Sequence, residues 1–138
     1  MDSADVPQDV VARLREVCRG LPECHEEQAW VGTRWRVRGR TFAHVLRVES
    51  GRPPAHARAV GSDGPVMVVT FRAEGPELAA LRAMGHPYYY GGWGRDVLVM
   101  VLDEGADDTD WTEVAELVTE SYCLLAPRAL AERVARPG

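Results

Sequence analysis

Apolar residues recur along this chain in two periods, and the changes of period mark out its elements. Val10, Val11, Leu14, Val17 and Cys18 follow one another at i, i+1, i+4, i+7 and i+8, a single stripe of an amphipathic helix. Pro7 suits a first helical turn, and Gly20 with Pro22 behind it suits a stop, so a helix is predicted over about 7–19. The period then falls to two. "AWVGTRWRV", "RG" and "RTFAHVLRV" give two alternating runs around a glycine turn, the pattern of a β-hairpin.

Parity sets the faces of that hairpin. With a two-residue loop at Arg38-Gly39 or Gly39-Arg40, Val31, Trp35 and Val37 share a face with Phe42, Leu46 and Val48. Arg34 and Arg36 then share the opposite face with Thr41, Ala43, Val45 and Arg47. The first set is expected to be core and the second to face outward. His44 falls on the apolar face and reads as a core or rim histidine.

The Gly-, Pro- and Ala-rich stretch 49–65 has no clear period and predicts an irregular connection, with a short helical turn around 54–60. "VMVVTF" (66–71) predicts a strand, "GPELAALRAMG" (75–85) a short helix, "HPYYYGGWGRD" (86–96) a loop, and "VLVMVLD" (97–103) a further strand. Asp110 with Glu113 three residues on resembles a capping box. Trp111, Val114, Ala115, Val118 and Tyr122 make the buried stripe of the helix it opens. Pro127 closes that helix and opens a last one, to about Arg133. Runs of strands and helices in this order predict an α+β fold, an antiparallel β-sheet with helices packed on one face. At 138 residues the chain reads as one domain, 1–138.

Charge changes the picture. All sixteen basic residues are arginine, and the net charge is -5. The charge is uneven: residues 1–29 sum to -4, 30–62 to +6 and 63–138 to -7. The bulk charge argues against a general polyanion binder, while the middle third is a local basic island. The acidic N-terminus has no apolar h-region, and no apolar run nears the ~18 residues of a membrane span. A cytoplasmic location without a membrane partner is expected. Cys18, Cys24 and Cys123 are an odd count at unrelated spacings, so a disulfide framework is not expected. Cys24 beside His25, near Glu26 and Glu27, has no second cluster to complete a metal site. No metal and no cofactor are expected.

"LPECHEEQAW", "RGRTFAHVLRVESG", "YYGGWGRDVLVMVLD" and "DWTEVAELVTESYCLLAPRAL" together resemble the MmcQ/YjbR family, over roughly 8–135. The last block is the most specific: an acidic-aromatic helix start, "ELVTESY", then "LLAP" before a basic position. That position is often lysine in the family and is Arg128 here. The resemblance implies a compact YjbR-like domain, similar to frataxin-like folds and to the double-wing DNA-binding domain of a phage activator. It also implies a DNA-binding label, and it brings no catalytic motif.

Two stretches carry candidate chemistry. Arg34, Arg36, Arg38, Arg40 and Arg47 lie on or near the hairpin and are candidates for nucleic-acid binding. Arginine pairs bidentately with phosphate, and a two-stranded ribbon fits a major groove. The same residues also suit a solvated sheet face, with arginine at its edge blocking aggregation. His86, Tyr88, Tyr90, Trp93 and Arg95 are candidates for a ligand pocket, an aromatic loop set against an apolar sheet. The alternative there is an aromatic edge to the core. Ser50, Ser62 and Ser121 lack nucleophile-elbow flanks. Asp103, Glu104, Asp107, Asp108 and Asp110 fail the EF-hand spacing and suit a solvated loop before a helix. The expectation is a small non-enzymatic protein that binds DNA through its basic hairpin. The alternative is a module that binds a small molecule or a protein through loop 86–95. The residues specify no oligomeric state.

Overall fold

A computed structural model describes residues 6–94, 96–102 and 109–134. Arg95 and the acids Asp103, Glu104, Asp107 and Asp108 lie outside the described residues. The elements follow the two periods. Helix α1 spans Gln8–Arg19 and buries Val10, Val11, Leu14 and Cys18. Strands β1 (His25–Gln28), β2 (Thr33–Val37) and β3 (Arg40–Val48) follow, then helix α2 (Pro54–Val60) and strand β4 (Val66–Arg72). Helix α3 (Gly75–Met84), strands β5 (Tyr88–Tyr90) and β6 (Val97–Leu102), and helices α4 (Trp111–Leu125) and α5 (Arg128–Ala131) complete the chain. Asp110 caps α4 by accepting from the Glu113 backbone N–H at 3.1 Å.

The six strands form one antiparallel sheet in the order β1-β2-β3-β4-β6-β5. Helices α1, α3, α4 and α5 contribute to a large core on one face, with Trp35, Phe42, Phe71, Leu98, Leu117, Val118 and Tyr122 inside it. Trp35 is 1% exposed. The short α2 sits on the other face. Its Ala57 joins Leu46, Val48, Val68 and Val99 in a second, smaller apolar cluster. The fold is thus α+β as expected, with one short helix added to the outer face.

Two local features differ from the pattern-based expectation. The β2–β3 turn is the two-residue loop Arg38-Gly39, with φ +48° and +78°. Positive φ at both central positions suits the right-handed twist of the strands. The pairing then slips: Trp35 faces Ala43 while Arg36 faces Thr41, which leaves Phe42 as an extra residue. This bulge inverts parity along the rest of β3. Ala43 and Val45, expected beside the arginines, join the large core, while Leu46 and Val48 join the outer cluster. Val31 packs with that outer cluster too, and not with Trp35. Tertiary bonds hold the bulge. The fully buried Ser121 hydroxyl donates to the Phe42 carbonyl at 2.7 Å and accepts the Arg72 backbone N–H at 2.8 Å. Phe42 also meets Tyr122 edge-on, ring centroids 5.3 Å apart. The second difference is that 88–90, expected as loop, is a strand. It gives the sheet its far edge.

Candidate functional site: a polar hollow on the outer sheet face

The outer face is apolar only where α2 covers it. Nearer the hairpin, cross-strand pairing sets polar side chains in a row: Arg34 opposite His44, and His44 opposite Thr70. One step away, Arg72 lies opposite Val97. These residues floor a cavity of about 200 Å³. His56 from α2 and Trp93 from the 91–94 loop also line it, their rings 4.5 Å apart and tilted by 46°. The loop sits low on the sheet because it has no side chains at two points. A Cβ at Gly91 or Gly94 would meet the Val97 methyls at 2.9 and 3.0 Å.

Each guanidinium in the hollow is held by a carboxylate. Arg34 pairs with Glu27, and Arg72 Nη1 donates to Asp96 Oδ1 at 2.9 Å. The pairing extends along β1. Arg36 lies 3.3 Å from the same Glu27 oxygen. Arg38 donates to both Glu23 oxygens at 2.6 and 3.0 Å, and Arg15 to both Glu26 oxygens at 2.9 and 2.7 Å. Hydrogen bonds from Arg34, Arg38 and Arg15 hold the carboxyls of Glu27, Glu23 and Glu26 below the usual glutamate range.

The two histidines of the hollow, His44 and His56, are neutral at pH 7. Burial pushes His56 down to about 4, helped by the nearby His44. Burial also lowers His44, outweighing its bond to the Val31 carbonyl. His44 Nε2 donates to that carbonyl at 2.6 Å, so Nδ1 of the neutral ring is an acceptor. His56 Nδ1 is closed off from solvent and has no hydrogen-bond partner among the described residues.

The five hairpin arginines do not form one array. Arg34 lines the hollow. Arg36 is tied to Glu27 and to the Gly39 carbonyl, and Arg38 sits in the turn against Glu23. Arg40 is exposed at the start of β3. Arg47 alternates with Ala43 and Val45, so the bulge sends it to the helix-bearing face, away from Arg34. The expected shared face of Arg34, Arg36 and Arg47 is therefore corrected.

The aromatic loop divides as well. Tyr88 is buried in the large core, and Tyr90 lies under the Arg82 guanidinium at 3.8 Å. His86 Nδ1 is 2.8 Å from the Tyr89 hydroxyl. Of the described members, Trp93 alone reaches the hollow. His44 and Thr70 were legible as polar residues inside apolar strands, "RTFAHVLRV" and "VMVVTF". No sequence signal marked His56 or Arg72, because their convergence depends on sheet order and on where α2 lands.

Elsewhere, Cys18 and Cys24 line a separate hollow of about 190 Å³ with Arg15, Glu26 and Trp35. All three cysteines are free. Among the described residues no group of three or more His, Cys, Asp or Glu is placed to hold a metal ion. No described helix is long and apolar enough to cross a membrane. A family model described as YjbR matches residues 19–124. No curated protein and no solved structure matches the chain.

Proposed function

The chain belongs to the YjbR family, and from that premise we propose that it is a binding module whose ligand is a small molecule held in the hollow on the outer sheet face. The observation that carries this reading is the convergence of Arg34, His44, Thr70 and Arg72 beneath the walls formed by His56 and Trp93. A concave site with a few converging polar groups and perturbed imidazoles is where a ligand gains both shape and orientation. Binding without chemistry is the reading that fits these groups. His44 spends one nitrogen on a backbone carbonyl, and burial lowers both imidazoles, which favours their neutral forms at pH 7.

Thermal shift against a fragment set, run on the wild type and on Trp93→Ala, tests the reading. At least one fragment should raise Tm in the wild type and lose that effect in the variant. Stabilisation that is identical in both proteins would place the ligand elsewhere.

A second reading, nucleic acid on the hairpin, draws on the exposure of Arg40 and of Trp30 at 101%. Against it stand the carboxylate partners of Arg34, Arg36 and Arg38, which offset the basic island within a few ångströms. Titration of a labelled duplex at low salt separates the two readings.

A further inference from the structure

We infer that the ligand of this hollow is a single-ring aromatic carboxylate, a planar monoanion; the inference rests on the small-molecule reading above. Size comes first. A cavity of about 200 Å³ exceeds only modestly the ~150 Å³ that holds benzene. One ring with one small substituent fills it.

Charge comes second. Arg34 and Arg72 both line the cavity, and their carboxylate partners use only part of each donor set. Arg34 engages Glu27 through Nε and Nη2, and Arg72 engages Asp96 through Nη1. A guanidinium carries five N–H donors in a planar fork, which matches a carboxylate in two parallel bonds. Among the described residues Glu27 and Asp96 offset the two lining guanidiniums, Arg34 and Arg72, and Arg36, which shares Glu27 from outside the hollow, leaves one net positive charge beside it. With both histidines neutral, that balance suits a monoanion. A phosphate dianion would face guanidiniums already half-neutralised and imidazoles that add no charge.

Shape comes third. The Trp93 and His56 rings present an aromatic wall, and Trp93 is 43% exposed, with His56 the ring set against it among the described residues. A planar ring stacks there, its carboxylate directed to the arginine floor. A hydroxyl on such a ring would meet the acceptor nitrogen of His44 or the hydroxyl of Thr70.

Calorimetric titration at pH 7.5 with benzoate, benzamide and inorganic phosphate as probes tests the assignment. Benzoate should bind, and benzamide, its neutral isostere, should bind at least about tenfold more weakly, the loss of one charge-assisted hydrogen bond. Trp93→Ala and Arg72→Gln should each weaken benzoate about tenfold. Trp93 lies in an exposed loop, so its truncation leaves the fold intact and keeps the test valid if Arg72→Gln misfolds. Equal binding of benzamide, or phosphate binding tighter than benzoate, overturns the inference and leaves a small-molecule site standing. So does a fragment hit that depends on Trp93 while benzoate fails. No Trp93-dependent binding of any fragment overturns the inference and the underlying reading together.

Discussion

The two faces of the sheet share the same strands and have opposite fates. The helix-bearing face is closed: Trp35, Phe42, Val45, Leu98 and Tyr122 are almost wholly buried against α1 and α4. Most of its polar groups are matched, the buried Tyr88 hydroxyl having no hydrogen-bond partner among the described residues. Ser121 bridges the β3 bulge to β4, Trp35 Nε1 donates to Glu26 at 3.1 Å, and the Tyr122 hydroxyl donates to the Pro22 carbonyl at 2.6 Å. The outer face is closed only where α2 lies on Leu46, Val48, Val68 and Val99. Where α2 stops, the strands carry Arg34, His44, Thr70 and Arg72, and beside them the His56 Nδ1 of α2 has no partner among the described residues. A second layer over an entire sheet face makes a core, and a layer over half of it leaves a walled floor. Stability is concentrated on one side of these strands, and unspent binding capacity on the other.

The sharpest way to break this comparison is to truncate one residue on each side. Trp35→Ala should cost about 3–5 kcal/mol, the range for emptying a packed aromatic site. Thr70→Ala, in the floor of the outer hollow, should stay within about 1 kcal/mol. Urea unfolding with a shared m-value reads both. Similar losses at the two positions would mean that the outer face also carries the fold.

Ser121→Ala isolates the device that sets the faces. It leaves the Phe42 carbonyl and the Arg72 N–H without their partner in a buried setting, at a cost of about 1–3 kcal/mol. Faster hydrogen exchange at the Arg72 amide would accompany it. Unchanged stability would show that the bulge stands without this bridge.

The same device explains what the sequence could and could not disclose. The helices, the hairpin and its Arg38-Gly39 turn follow from period and turn chemistry, which are local. The faces of β3 beyond Phe42 do not, since the bulge is fixed by Ser121, 79 residues away in the chain. One inserted residue moved Ala43 and Val45 inward and separated Arg47 from Arg34. The strand over 88–90 is not legible, because three residues are too few to show alternation. Trp93 was legible as a pocket aromatic. Its partners His56 and Arg72 were not, because only strand order and the position of α2 bring them to it.

Acid should sharpen the comparison from the outer side. The unfolded chain takes up a proton at His56 near pH 6.5, whereas the folded protein resists until about 4. Between those values the unfolded state binds more protons, so stability falls as pH drops through that window and is fully retained above it. His44, also lowered by burial, acts in the same direction. A Tm series from pH 7.5 to 4.5 should decline in the wild type and flatten in His56→Gln. A parallel decline in both proteins would assign the effect to other groups.

The smallest effect on stability, and the most direct test of the basic island, is the removal of its carboxylate partners. Glu23 and Glu27 hold Arg38, Arg34 and Arg36 in exposed pairs, which contribute little to folding. Glu23→Gln with Glu27→Gln should therefore leave Tm nearly unchanged. It should also raise the local charge of the hairpin by two and release three guanidiniums. A labelled duplex titrated at low salt should then bind the double variant more tightly than the wild type. The gained affinity should fall with salt at a slope of about 0.9 per phosphate engaged. The wild type should bind weakly, because Arg34, Arg36 and Arg38 each meet an acid well inside the Debye length of ~10 Å. Tight wild-type binding with a slope of several units would mean that phosphate displaces the glutamates. The hairpin, and not the hollow, would then be the functional face.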